Sequence, residues 1–280
     1  VSRLYERGLV YLQPLGGIND NVVMAQRYKI KTAKGEVTGY SGLEAVHIIP
    51  RSKRQELVKK EDVFLDVGAR NKQELIEKFA IHPGLSVTPD SQFAQLSDTR
   101  FLAKALDDRL GLSLLTDLLK SKNINNLYLA ATVQEEVGLR GAQVIYKQTK
   151  PDVVFNIETG IASDFPLRVG QKTSSIKLGK GPTVFVYDAS MIPNQALLRW
   201  IEKIAKQNKI AIQYELEPGY GEDGASVQKK GEGVAVVNIG IPVRYAHQHA
   251  GVFDSRDYQA AVKLVKALVN NFDKKKLLHG

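Results

Sequence analysis

Three acidic clusters and one histidine-bearing motif are the parts of this 280-residue chain whose residue types could carry hydrolytic chemistry. They are Asp107-Asp108-Arg109; Glu135-Glu136 ahead of Val137-Gly138; Glu158 within Asn156-Ile157-Glu158-Thr159-Gly160, with Asp164 beyond it; and Arg244-Tyr245-Ala246-His247-Gln248-His249. Glu135-Glu136 is the most informative. It ends an apolar run, 127–133, and adjacent residues on an extended backbone point opposite ways. One carboxylate can therefore hold a metal while the other faces a water on that metal. Hydrolysis needs this division, because a metal lowers the pKa of bound water and a nearby carboxylate accepts the proton. Carboxylates plus imidazole, without thiolate, suit zinc, manganese or cobalt. Taken singly, each cluster is explained as well by an exposed ion pair or a polar turn. Their coincidence on one α/β region points to a site. His47 and His82 read as structural histidines. Paired carboxylates also serve glycoside hydrolysis. That chemistry does not call for a histidine, and Trp200 is the sole tryptophan, so no run of sugar-stacking rings exists.

Two kinds of pattern must position these residues. The first third reads as β. Short apolar runs at 9–12, 28–32, 36–40, 45–49 and 63–67 are separated by Gly and Pro turns, including Lys34-Gly35, which suggests a small barrel or sandwich. Asn71 is placed to cap a helix over 72–79. From about residue 97 the pattern changes. Asp98 can cap a long helix carrying Leu102, Leu106, Leu110, Leu114 and Leu118 at near-helical spacing. Strands are expected at 127–133, 153–157, 183–187, 210–216 and 234–241, with helices at 138–148, 194–207 and 257–272. Alternating strands and helices indicate a three-layer α/β domain. The expected division is 1–83 as a β-barrel-like insert and 84–280 as the α/β domain.

Composition narrows the function classes. Hydrophobic residues make up 43% and charged residues 25% of the chain, ordinary for a globular protein. No apolar run approaches the ~20 residues needed to span a bilayer, and the strand-like sequence at 1–5 leads to the expectation of no signal peptide. The absence of cysteine excludes disulfides, iron–sulfur clusters and thiolate zinc sites within the chain, and the expected location is the cytoplasm. A net charge of +9 invites a nucleic-acid reading, but the basic residues are dispersed, mostly beside acids as in Lys59-Lys60-Glu61-Asp62, and no aromatic interleaving offers stacking platforms. The expected partners are peptides, with neither nucleic acid nor membrane.

These motifs resemble a family. Pro14-Leu15-Gly16-Gly17, Lys104-Ala105-Leu106-Asp107-Asp108-Arg109-Leu110-Gly111, the run 133–142 around Glu135-Glu136, and Ile241-Pro242-Val243-Arg244-Tyr245-Ala246-His247 are similar, in order and over nearly the whole chain, to the cytosolic two-metal aminopeptidases of the glutamyl-aminopeptidase and TET type, some of them labelled endoglucanases. The resemblance implies an α/β peptidase domain with an inserted small β-barrel, two divalent ions (zinc or cobalt), and assembly into twelve-subunit tetrahedral shells. It implies that Asp107 bridges the two ions and that the Asp107–Asp108 peptide is cis. Glu135 would be the general base and acid, Glu136 and His247 would complete one metal site, and Glu158 would serve the other. The family's fifth ligand lies in a His-x-Asp motif on an early strand, and this sequence contains none. The expectation is therefore a chain that opens just after that motif, with the Glu158 site the weaker. The rival readings are a noncatalytic shell subunit and an endoglucanase-type carbohydrase.

Overall fold

The computed structural model describes residues 1–54, 56, 58–120, 126–167, 174–274 and 277. Contacts divide the chain into two units, Val1–Phe93 with His247–Ala250, and Ala94–Ala246 with Gly251–Gly280.

The first unit is an antiparallel sheet of β1 (Arg3–Leu4), β2 (Leu9–Tyr11), β3 (Gln26–Thr32), β4 (Gly35–Ser41), β5 (Phe64–Asp66) and β6 (Val87–Pro89), in the order β1-β2-β5-β4-β3-β6. Thr32 pairs with Gly35 across the tight β3–β4 turn, and Gly35 has φ 111°, a conformation that glycine alone adopts without cost. Alternation then sends Tyr28 and Ile30 inward to Val10, Leu65, Leu75 and Ile81. Val1 donates to the Leu85 carbonyl and Gly84 to that of Val1, so backbone bonds link the two ends of the sheet. Helix α1 (Lys72–Glu77) is capped as expected, with Asn71 Oδ1 accepting from the Glu74 N–H at 2.9 Å.

The second unit is a mixed α/β layer structure. Its strands are β7 (Ala94–Gln95), β8 (Arg100–Ala103), β9 (Val153–Ile161), β10 (Thr183–Asp188), β11 (Gln213–Glu217), β12 (Ala235–Arg244) and β13 (Gly251–Asp254). The order is β11-β10-β12-β13-β8-β7, and β9 runs parallel to β12 along its other edge. The helices are α2 (Leu106–Leu119), α3 (Arg140–Thr149), α4 (Gln195–Gln207), α5 (Asp223–Gln228) and α6 (Ser255–Asn271).

Strand β12 shows how the sequence builds both faces. Val237, Ile239, Ile241 and Val243 alternate toward the cluster formed with α2, α4 and α6. Val236 points the other way, to Ala142 of α3 and Ala225 and Val227 of α5. Period-two alternation thus gives helices on both faces of one sheet. Each fully buried Leu or Ile in the larger cluster contributes roughly 1.5–3 kcal/mol, and α2 supplies Leu106, Leu110, Leu114 and Leu118 at four-residue spacing.

Three expectations need correction. Residues 45–49 are not a strand but a turn, with Val46 and Ile48 exposed. Helix α2 starts at Leu106 rather than Asp98, because Arg100–Ala103 pairs as β8 with β13. Residues 127–133 join no ladder among the described residues, and Tyr128 and Val133 are exposed. No helix of the described residues is long and apolar enough to cross a membrane.

Candidate metal centre

Asp107 stands in the first turn of α2, where the backbone departs from helical geometry. Ala105 has φ 50°, Asp107 and Asp108 have ψ 110° and 63°, and the Asp107–Asp108 peptide is cis. Asp108 turns back on the helix, its Oδ1 accepting from the Gly111 N–H at 2.9 Å. A Cβ added at Gly111 would stand 2.0 Å from Asp108 Oδ2, so any larger residue there would displace this carboxylate.

Glu135-Glu136 lies on a hydrogen-bonded turn instead of a strand end. The Glu135 carbonyl accepts from Gly138 and Leu139, and Gln134 has φ 61°. The two side chains still diverge. Glu136 brings a carboxylate oxygen within 4.8 Å of one from Asp107. Glu135 joins Asp108, Thr132, Asn156, Glu158 and Asp223 in lining a cavity of about 600 Å³ whose remaining walls are largely apolar side chains of α2, α3, β9 and α6. Thr132 Oγ1 donates to Asp223 Oδ2 at 2.5 Å, which fastens the chain ahead of this turn to the start of α5.

Glu158 is buried on β9, opposite Gly240 of β12. Burial first, then the charges of Asp108, Glu222 and Asp107, push its carboxyl well above the usual range. Burial and the neighbouring acids likewise raise Asp108 to about 7, with the Gly111 N–H opposing. Glu222, also buried, is pushed well up by burial and then by Asp188 and Glu215. The neighbours that set these three groups are acids, one amide side chain and one backbone N–H. Oxygen ligands that repel one another suit a hard or borderline divalent cation, which removes the repulsion. The donor set therefore fits a metal.

His247 follows β12 by three residues, on the connection to β13. Its Nδ1 lies 2.5 Å from the Gly17 carbonyl. A carbonyl can only accept, so Nδ1 donates and the lone pair resides on Nε2. Arg244, at the end of β12, grips Asp164 with two side-chain bonds of 2.6 and 2.7 Å and thereby ties the chain beyond β9 to β12. His47 is exposed, and His82 bonds its neighbouring Pro83 carbonyl. His249 packs edge-on against Tyr28 at 5.2 Å.

Sequence reasoning missed Glu222, Asp223 and Glu215. Glu222-Asp223 is an acidic pair like the others, but it follows a loop, Pro218-Gly219-Tyr220-Gly221, that reads as ordinary turn sequence. Their burial is decided by where that loop folds.

An α/β unit with buried, mutually repelling carboxylates beside a cavity has the donor chemistry of a divalent-cation site. Comparison with known proteins supplies the family. The description "M42 glutamyl aminopeptidase" matches residues 1–264, and the chain belongs to that family. It is 32% identical to the lysyl aminopeptidase of Pyrococcus furiosus over 96% of this chain and 77% of that one. Among solved structures, a TET aminopeptidase from the marine sediment archaeon Thaumarchaeota archaeon SCGC AB-539-E09 superposes with a TM-score of 0.92 at 34% identity, covering 100% of this chain and 79% of that one. The TET1 peptidase of Pyrococcus horikoshii, described as assembling into a tetrahedron or a large octahedral shell, superposes with 0.85 at 27% identity, covering 97% and 80%.

Proposed function

We propose that this chain removes N-terminal residues from peptides, with Glu135 as general base and acid and with Asp107, Glu136, Glu158 and His247 as ligands of two divalent ions, zinc or cobalt. The observation that carries the reading is the set of neighbouring carboxylates around Asp107 and the buried Glu158, whose mutual influence pushes Glu158 well above the usual range, in a chain of an aminopeptidase family. Such ions supply Lewis-acid activation of a carbonyl and of water. The protein's own groups do the rest. Asp107, held in the non-helical first turn of α2, would be a ligand shared by the ions. Glu136 and the Nε2 lone pair of His247 would hold one ion, and Glu158 the other. Glu135 takes a proton from the attacking water and returns it to the leaving amine. The surrounding acids attract the substrate's N-terminal ammonium.

The test offers aminoacyl anilides and a soluble glucan side by side to the protein loaded with zinc or cobalt. Release of the anilide that is abolished by a chelator and restored by metal is expected. Glucan cleavage alone would favour the carbohydrase reading, and metal-loaded protein inert to both would favour a noncatalytic shell subunit.

We also propose that residues 1–83 form a barrel-like insert that takes part in subunit contacts within a homo-oligomer, up to a dodecameric shell, supported by the shells described for the TET1 relative. Light scattering at micromolar concentration is expected to show an oligomer. A monomer throughout would remove this part of the proposal.

A further inference from the structure

We infer that Glu215 is a positioning residue: one of its oxygens accepts from the Ile161 N–H, the other shares a proton with Thr183, and the pair fixes the carboxyl end of β9, three residues beyond Glu158. The role of Glu158 rests on the function proposed above, whereas the latch itself does not.

Glu215 is fully buried on β11, and its Oε1 accepts from the Ile161 N–H at 2.7 Å. Its Oε2 and Thr183 Oγ1, on β10, are both buried, and neither has a hydrogen-bond partner among the described residues. The two oxygens converge over Gly160. A Cβ added there would stand 2.6 Å from Glu215 Oε2 and 2.8 Å from Thr183 Oγ1. At Gly240, which pairs with both Thr183 and Glu158, an added Cβ would stand 2.3 Å from Thr183 Oγ1. Two glycines on adjacent strands therefore clear the channel through which a β11 carboxyl reaches β9. Neither needs a left-handed backbone; the requirement is space alone.

The electrostatics indicate the state of that carboxyl. The titratable groups facing it are Glu217 on its own strand and Glu222 ahead of α5, with Asp188 of β10 acting on Glu222 in turn. Tyr220 stacks on Phe185, the β10 residue paired with Glu215. None of these is a cation. A buried, unpaired carboxylate among acids is costly, and a proton on Oε2 removes the charge while giving Thr183 Oγ1 its partner. Burial raises Glu215 to about 7, against the pull of the Ile161 N–H and of the Thr183 hydroxyl, which favour the ionised form.

Two variants separate positioning from mere filling of space. Glu215→Gln keeps an acceptor for Ile161 and an N–H for Thr183. Glu215→Leu keeps the bulk and neither bond. Amide hydrogen exchange at Ile161 is expected to accelerate at least ten-fold in Glu215→Leu and stay within about three-fold in Glu215→Gln. Zinc affinity is expected to follow the same split. The pH profile has a defined sign. The folded carboxyl keeps its proton to about 7, while the unfolded one loses it near 4.5, so its stabilisation is full below about 4.5 and is lost as pH rises through about 7. The wild-type melting temperature should therefore fall between pH 5 and 8 relative to that of Glu215→Gln. If Glu215→Leu does not fold, the carbon-13 shift of the Glu215 carboxyl in wild-type protein at pH 5.5 decides, and a protonated value is expected. Unchanged Ile161 exchange in Glu215→Leu, a Glu215→Gln variant as impaired as Glu215→Leu, or an ionised carboxyl at pH 5.5 would each overturn the inference. The exchange and carbon-shift measurements need no metal, so wild-type protein that neither binds zinc nor cleaves peptides would sink the proposed function and leave the latch to be judged by them.

Discussion

Glu135→Gln is expected to retain its fold and metal content while losing ~10²–10⁴-fold in turnover, the range that a positioned general base contributes. The substitution is nearly isosteric. The turn that presents residue 135 is held by backbone bonds from Gly138 and Leu139 to its carbonyl, which the side chain does not enter. The approach to that turn is held separately by Thr132 on Asp223. What is lost is the capacity to take a proton at a half-buried position on a cavity shared with Asp108 and Glu158. The check is kcat of metal-replete protein on an aminoacyl anilide, alongside metal content. Turnover within a few-fold of wild type would remove Glu135 from the mechanism.

Asp107→Asn should produce effects of opposite sign on binding and on stability. A carboxylate proposed to touch both ions becomes a neutral amide, so metal affinity should drop by ~10²-fold or more, the size expected when a charge-assisted interaction worth roughly 3 kcal/mol is removed. The metal-free protein should become more stable, because Asp107 is among the charges that push Asp108 upward. Removing one like charge a few ångström from a partly buried group yields about 1 kcal/mol at the effective dielectric of such sites. Calorimetric metal titration together with denaturant unfolding in chelator tests both signs. An Asn variant that binds zinc as wild type does, or is less stable without metal, would count against the placement of Asp107. A group that weakens the empty protein and strengthens the loaded one is the usual mark of a functional site set against stability.

Local signals in the sequence were informative where the local chain decides the outcome. Asn71 and Asn194 cap the helices they precede, each accepting from a backbone N–H three residues on. The apolar spacing in α4 and α6 gives their buried faces. It misled where partners decide. Leu102 is four residues from Leu106 and reads as the same helix, yet its backbone pairs with Val252 of β13, a strand too short to show a period of its own. The apolar content of 45–49 suggested a strand, but an apolar run states only a preference for burial, and no ladder partner reaches it. Asp107, Glu135, Glu136, Glu158 and His247 could be singled out because each stands in a motif. Glu215 and Glu222 could not, since what matters about them is burial among groups distant in sequence.

The gap left by Gly160 and Gly240 imposes an order on how this protein can change. A methyl group at either glycine collides with Glu215 or Thr183 while those side chains keep their length, so Gly→Ala is harmful first at both positions and tolerable second only at 160. Shortening Glu215 and Thr183 leaves a void, a graded loss that a later Ala at 160 could partly refill, whereas at 240 the Gly160 backbone nitrogen, 2.9 Å from an added Cβ, still requires glycine. Mutational paths through these four positions are thus directional. A drifting lineage would have to give up the carboxyl before it could give up Gly160, and that glycine could persist for a time as the imprint of a side chain already gone.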